Sequence, residues 1–78
     1  MDKGLTQQRC EIILALADCD MNVSAAARQL YMHWRSVYYQ IYRIREITGK
    51  DPLNFYDLYE LTLLVKAERA RQWTEKAN

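Results

Sequence analysis

Asn22-Val23-Ser24-Ala25-Ala26-Ala27-Arg28-Gln29-Leu30-Tyr31-Met32-His33 runs directly into Trp34-Arg35-Ser36-Val37-Tyr38-Tyr39-Gln40-Ile41-Tyr42-Arg43-Ile44-Arg45-Glu46-Ile47-Thr48-Gly49. This stretch decides the fold. Asn22 is an N-cap residue, and the three alanines behind it are the strongest helix formers. The spacing predicts a short helix over residues 24–30, with Tyr31-Met32-His33 as a connection. From Trp34 to Thr48, Val37, Ile41, Ile44 and Thr48 fall on one helical face, and Ser36, Tyr39, Arg43 and Glu46 lie roughly opposite. Gly49 stands where a helix-ending left-handed glycine belongs. A small-residue helix, a tight connection and a longer amphipathic helix are the parts of a helix-turn-helix. The order Ala27, Met32, Val37, Ile41 supplies its packing: a small residue before the turn, an apolar one in it, two anchors after.

Outward from the motif, Thr6 is an N-cap with Leu5 as a hydrophobic staple. A first helix then carries Ile12, Ile13, Leu16 and Ala17 and stops near Cys19-Asp20. Lys50-Asp51-Pro52-Leu53 is a turn, and Asn54 caps a fourth helix whose inner face is expected to hold Leu58, Leu61, Leu64 and Val65. The last residues are polar, so fraying is expected after Arg71, and Trp73 has two readings, pinned or free. The sum is one all-α domain over residues 1–78, a small orthogonal four-helix bundle.

Composition removes other classes. The 78 residues carry two Gly and one Pro, too little turn material for a barrel or sandwich of short strands. No apolar run is long enough to span a membrane, and Met1-Asp2-Lys3-Gly4 does not read as a secretion signal. On one helix, Cys10 and Cys19 would stand about 13.5 Å apart, beyond disulfide reach, so both read as buried reduced thiols. One His and two Cys without a CxxC pair do not make a zinc site. With no nucleophile motif or phosphate loop, the chain is not expected to be an enzyme, to hold a cofactor or metal, or to take a small-molecule ligand.

The net charge of +1 is unevenly placed. Residues 22–50 hold Arg28, Arg35, Arg43, Arg45 and Lys50 against Glu46, a local +4, while the flanks carry −2 and −1. Neutralised phosphates dominate affinity for DNA, so charge gathered on the motif matters more than the total.

The stretch from Asn22 to His33 resembles the C-terminal DNA-binding domain of the PucR-type regulators of purine catabolism and sugar-diacid use. The likeness continues through Ile41-Tyr42-Arg43-Ile44-Arg45-Glu46-Ile47-Thr48-Gly49 and Asp51 into Asp57, Leu61 and Leu64, covering roughly residues 10–67. The Asn-x-Ser-x-Ala-Ala opening is also similar to the homeodomain-like helix-turn-helix of the Fis nucleoid protein. The resemblance implies sequence-specific binding of double-stranded operator DNA in a bacterial cytoplasm, associated with the nucleoid. It places the third helix in the major groove and the second helix and turn on phosphates. Trp34, Tyr38 and Gln40 stand where the family pattern tends to have arginine, and Arg35 where it tends to have asparagine.

Each candidate residue has a functional reading and a plainer one. His33, Trp34, Arg35, Ser36 and Tyr39 are the candidates for base contact. Against this, His33 could be a cap, Trp34 could be partly buried, and the others could form an ordinary solvated face. Asn22, Ser24, Arg28, Arg43, Arg45 and Lys50 are the candidates for phosphate contact, with capping or surface ion pairing as the alternative. Tyr38 and Tyr42 read as the edge of the core. Tyr56, Tyr59 and Leu63 recur on the outer side of the fourth helix and suggest a homodimer face, unless the first helix or the tail covers them. The rival function is a protein-interaction module that retains the fold with an aromatic, less basic third helix.

Overall fold

The helix ends are set by local side-chain chemistry. In the computed structural model, residues 5–77 are described, with side chains described through Trp73. Four helices follow in order: α1 Gln7–Asp18, α2 Val23–Gln29, α3 Trp34–Thr48 and α4 Phe55–Ala77. The Arg9 N–H donates to Thr6 Oγ1 (3.3 Å), the Ala25 N–H to Asn22 Oδ1 (3.0 Å) and the Asp57 N–H to Asn54 Oδ1 (3.1 Å). Each bond satisfies an amide that a helix start leaves without a partner. Gly49 ends α3 at φ 72°, with its N–H on the Arg45 carbonyl.

The connection between α2 and α3 is a Schellman turn. The Met32 N–H donates to the Ala27 carbonyl (2.9 Å) and the Tyr31 N–H to the Arg28 carbonyl (3.2 Å). Tyr31 occupies the left-handed position at φ 56°, where glycine is the usual residue. Met32 closes the turn over Ala27, which is buried, as is Ala26. Two buried alanines in succession let neighbouring helices approach the α2 backbone closely.

α1 is the hub. It packs against α2, α3 and α4, and α2 also packs on α3, but α4 makes no backbone-distance approach to α2 or α3 among the described residues. Enclosure on several sides explains why Cys10, Ile12, Ile13, Ala15 and Leu16, which spread over more than half the helix circumference, are all buried. From the other helices, Val37, Ile41 and Ile44 of α3 and Leu58, Leu61 and Val65 of α4 complete the core.

Four expectations need correction. Leu64 is exposed: among the described residues only α1 approaches α4 at backbone distance, and one close helix covers a narrower stripe than the apolar residues offer. Ala17 is exposed for the same geometric reason, on the rim between α1 and α4. Cys10 is buried, and its burial raises the thiol pKa, but Cys19 is only half-buried, its Sγ 3.4 Å from Gln29 Oε1. α4 is helical as far as Ala77, six residues beyond Arg71 and past an Arg71–Glu68 ion pair one turn apart, while Trp73 is exposed on the surface.

Candidate nucleic-acid interface

α3 is divided lengthwise. Its inner residues Val37, Ile41 and Ile44 are at most 3% exposed, which fixes the rotation of the helix about its axis. Trp34, Arg35, Ser36, Tyr38, Tyr39 and Tyr42 are therefore held on the solvent side by packing rather than by their own contacts. Tyr39 is 60% exposed and Tyr42 53%.

The first turn of α3 is an ordered aromatic cluster. The Arg35 N–H donates to His33 Nδ1 (3.1 Å), so His33 is the N-cap of α3. With Nδ1 accepting, a neutral His33 carries its proton on Nε2. The imidazole stacks on Trp34 (5.6 Å between centroids, 27° between planes), and Trp34 meets Tyr38 edge-on at 5.9 Å. The Arg35 guanidinium lies 5.2 Å from the centre of the Trp34 ring. Trp34 is 47% exposed, so the partial burial read from its helical angle and an outward-facing ring coexist. Stacking narrows the rotamer freedom of Arg35 before any ligand arrives.

Two shallow depressions flank this cluster. One, between α2 and the start of α3, is lined by Ser24, Arg28, Met32, His33 and Trp34. The other is lined by Gln8, His33, Arg35, Ser36, Tyr39 and Gln40. Gln8 lies outside the motif, in the first turn of α1, which packing across α3 sets beside the exposed face. The Arg9 Nε–H also donates to Gln40 Oε1 (2.9 Å), locking α1 to α3 where the family pattern tends to have another arginine. Sequence spacing gave no sign of either residue, since the partners lie 31 positions apart.

The basic residues divide into two sets. Arg28, Arg35 and Arg45 are exposed, and among the described residues no acidic partner is within ion-pair distance of them. Arg43 is held by Glu46 one turn on (2.8 Å), and Lys50 reaches across to Glu60 of α4, which raises the lysine pKa. Asn22 and Ser24 are both exposed at the start of α2, the Asn22 side chain engaged as its cap. The candidate residues thus fall in two groups: Ser24, Arg28, His33, Trp34, Arg35, Ser36 and Tyr39 around the two depressions at the start of α3, and Arg45 and Lys50 beside Tyr42 and Gly49 at its far end. Tyr56, Tyr59 and Leu63 lie on α4, uncovered by α1.

Residues 10–67 match the PucR C-terminal helix-turn-helix domain. The chain belongs to that family. The match takes in α2, the Schellman turn, α3 and the inner half of α4. PucR-type domains are DNA-binding helix-turn-helix modules of transcription regulators, and the all-helical architecture agrees with this. Three uncharacterised mycobacterial proteins, one from Mycobacterium bovis and one from each of two strains of Mycobacterium tuberculosis, are 39% identical over 51 residues. That segment is 65% of this chain and 12% of each relative, so the chain spans a small part of the length of the proteins it matches. No solved structure matches it. No described helix is long and apolar enough to cross a membrane.

Proposed function

We propose that this PucR-type domain binds double-stranded DNA by laying α3 in the major groove. The observation that supports this is the ordered outer face of α3 on a rotation fixed by Val37, Ile41 and Ile44. A major groove about 12 Å wide accepts one helix with its side chains. Arg35, Ser36 and Tyr39 point to base edges, with His33 and Trp34 at the helix start. Arg35 has the donor fork that pairs with guanine O6 and N7. Arg28 and Arg45, with Asn22 and Ser24, contact the backbone. Arg43 and Lys50 add to phosphate attraction only when their ion pairs with Glu46 and Glu60 open.

The test is selection of binding sites from random duplexes, followed by titration of Arg35→Ala and Arg28→Ala on the selected site and on unrelated DNA. Arg35→Ala is expected to relax sequence preference, and Arg28→Ala to weaken binding to every sequence alike. Equal affinities for both variants and the parent at matched salt would overturn the assignment. A second reading draws on the exposure of Trp34, Tyr38, Tyr39 and Tyr42, a surface as suited to a protein partner as to a groove. Absence of any duplex binding at low salt would favour it.

A further inference from the structure

The outer face of α4 carries both a knob and a hole. Tyr56, Tyr59, Leu63, Lys66, Ala70 and Trp73 recur at alternating steps of three and four, the spacing of a coiled-coil seam. The large members of the seam are exposed: Tyr56 75%, Tyr59 59%, Leu63 50% and Trp73 72%. Phe55, 62% exposed, packs edge-on against Tyr56 beside them. At its N-terminal end the seam opens into a cavity of about 210 Å³ between α1 and α4. Its walls include Leu16, Ala17, Met21, Phe55, Tyr59 and Thr62, and they are predominantly apolar. An apolar cavity of about 150 Å³ already takes a benzene ring. This one has room for a larger aromatic side chain.

Trp73 cannot fill the cavity of its own chain, because fourteen residues of helix, about 21 Å of rise, separate it from Tyr59. A second copy removes that obstacle. We propose that the chain forms a two-fold dimer through antiparallel α4 helices, each Trp73 seated in the partner's α1–α4 cavity.

In an antiparallel seam the two alternating positions meet each other. A single register then sets Tyr56 against the partner's Trp73, Tyr59 against the partner's Ala70, and Leu63 on the stem of the partner's Lys66. Away from the Tyr56–Trp73 pair, large residues meet small or flexible ones. Helical side chains lean toward the N-terminus of their own helix. In the antiparallel partner this tips Trp73 from the level of Tyr56 toward Tyr59 and the cavity mouth. The pairing is isologous: each copy gives one knob and one hole, and the assembly closes at two.

The area supports a second copy as the occupant. Phe55, Tyr56, Tyr59, Leu63 and Trp73 together expose roughly 600 Å², from typical aromatic side-chain areas. That is the top of the range for the largest apolar patch on a monomer, about 300–600 Å². A standard interface needs about 800 Å² per partner, and Ala67, Ala70, the Lys66 stem and the cavity walls bring the face close to it. Among the described residues α4 makes no backbone-distance approach to α2 or α3, so pairing on its outer face leaves the surface proposed for DNA open. The inference does not depend on DNA binding.

Sedimentation equilibrium of the 78-residue chain across a wide concentration range tests it, with Trp73 fluorescence followed in a Trp34→Phe background. The expected mass rises toward twice 9.3 kDa, and Trp73 emission shifts to the blue as it does so. Trp73→Ala, which removes the knob, and Ala17→Phe, which narrows the hole, should each weaken association at least tenfold. The double variant should be no worse than the weaker single, because both remove one interaction. Helical circular dichroism of each variant should match the parent. A chain that stays at 9.3 kDa at every concentration overturns the dimer. A dimer whose Trp73 emission remains that of a water-exposed indole, or whose two variants act additively, overturns the knob-in-hole pairing.

Discussion

The sorting of cations into paired and unpaired sets makes the salt dependence of DNA binding a quantitative test. Five basic residues lie between positions 22 and 50, and charge alone would assign all of them to phosphates. Arg43 and Lys50 are already neutralised by Glu46 and Glu60, which leaves Arg28 and Arg45, joined on a duplex of unrelated sequence by Arg35, which has no preferred guanine to pair with there. Each phosphate neutralised contributes about −0.9 to the slope of log K against log salt. Three cations give a slope of about −2.7, so raising salt from about 50 to 200 mM should weaken binding roughly 40-fold, where five would weaken it roughly 500-fold. The assay is fluorescence polarisation of one domain on a short labelled duplex of unrelated sequence, kept below the concentration at which the mass of the chain rises. Arg28→Ala should flatten the slope to about −1.8, whereas Arg43→Ala should leave it near −2.7. A parent slope steeper than about −4 would refute the reasoning, because it would require both ion pairs to open in favour of phosphates.

Three further outcomes follow from the helix ends and from α4. Tyr31→Gly should raise stability by about 1 kcal/mol in chemical denaturation, since it removes a Cβ from a left-handed position while the exposed ring loses no packing; a loss of stability would show that the ring itself contributes. Gly49→Ala should lower stability by about 1 kcal/mol through backbone strain alone, because an added Cβ meets nothing within 4 Å. The Arg71 hydrogen bond holds the Glu68 carboxyl at about 2, below its unfolded value, so its contribution is present above the ordinary glutamate range and is lost as pH falls toward 2. A Glu68→Gln variant should therefore show a flatter fall of Tm on acidification than the parent, and parallel curves would count against that pair.

What could be read from the sequence was local. Thr6, Asn22 and Asn54 cap helices through bonds that reach three residues along the chain, so residue type and position suffice. Gly49 and the stripe of Val37, Ile41 and Ile44 were legible for the same reason. What escaped was set by which helix lies next to which. Leu64 looks like core by spacing, but its exposure follows from α1 being the one described helix close to the α4 backbone. Gln8 and Arg9 join the α3 face only because α1 crosses it, and Lys50 is tied by an ion pair to a glutamate ten residues on, in α4. Tyr31 gave no warning of its left-handed backbone, because the residue type argues against it and only the turn geometry demands it.

The central place of α1 has a consequence for how the domain opens. Its amides between Ile12 and Leu16 are enclosed by three helices, so their exchange with deuterium should require unfolding of the whole domain. The part of α4 beyond Val65 leaves the core behind, and its amides should exchange through local fraying without disturbing α2 or α3. Slowed exchange in that outer stretch at high protein concentration would then report on what covers it, while α1 reports only on global stability.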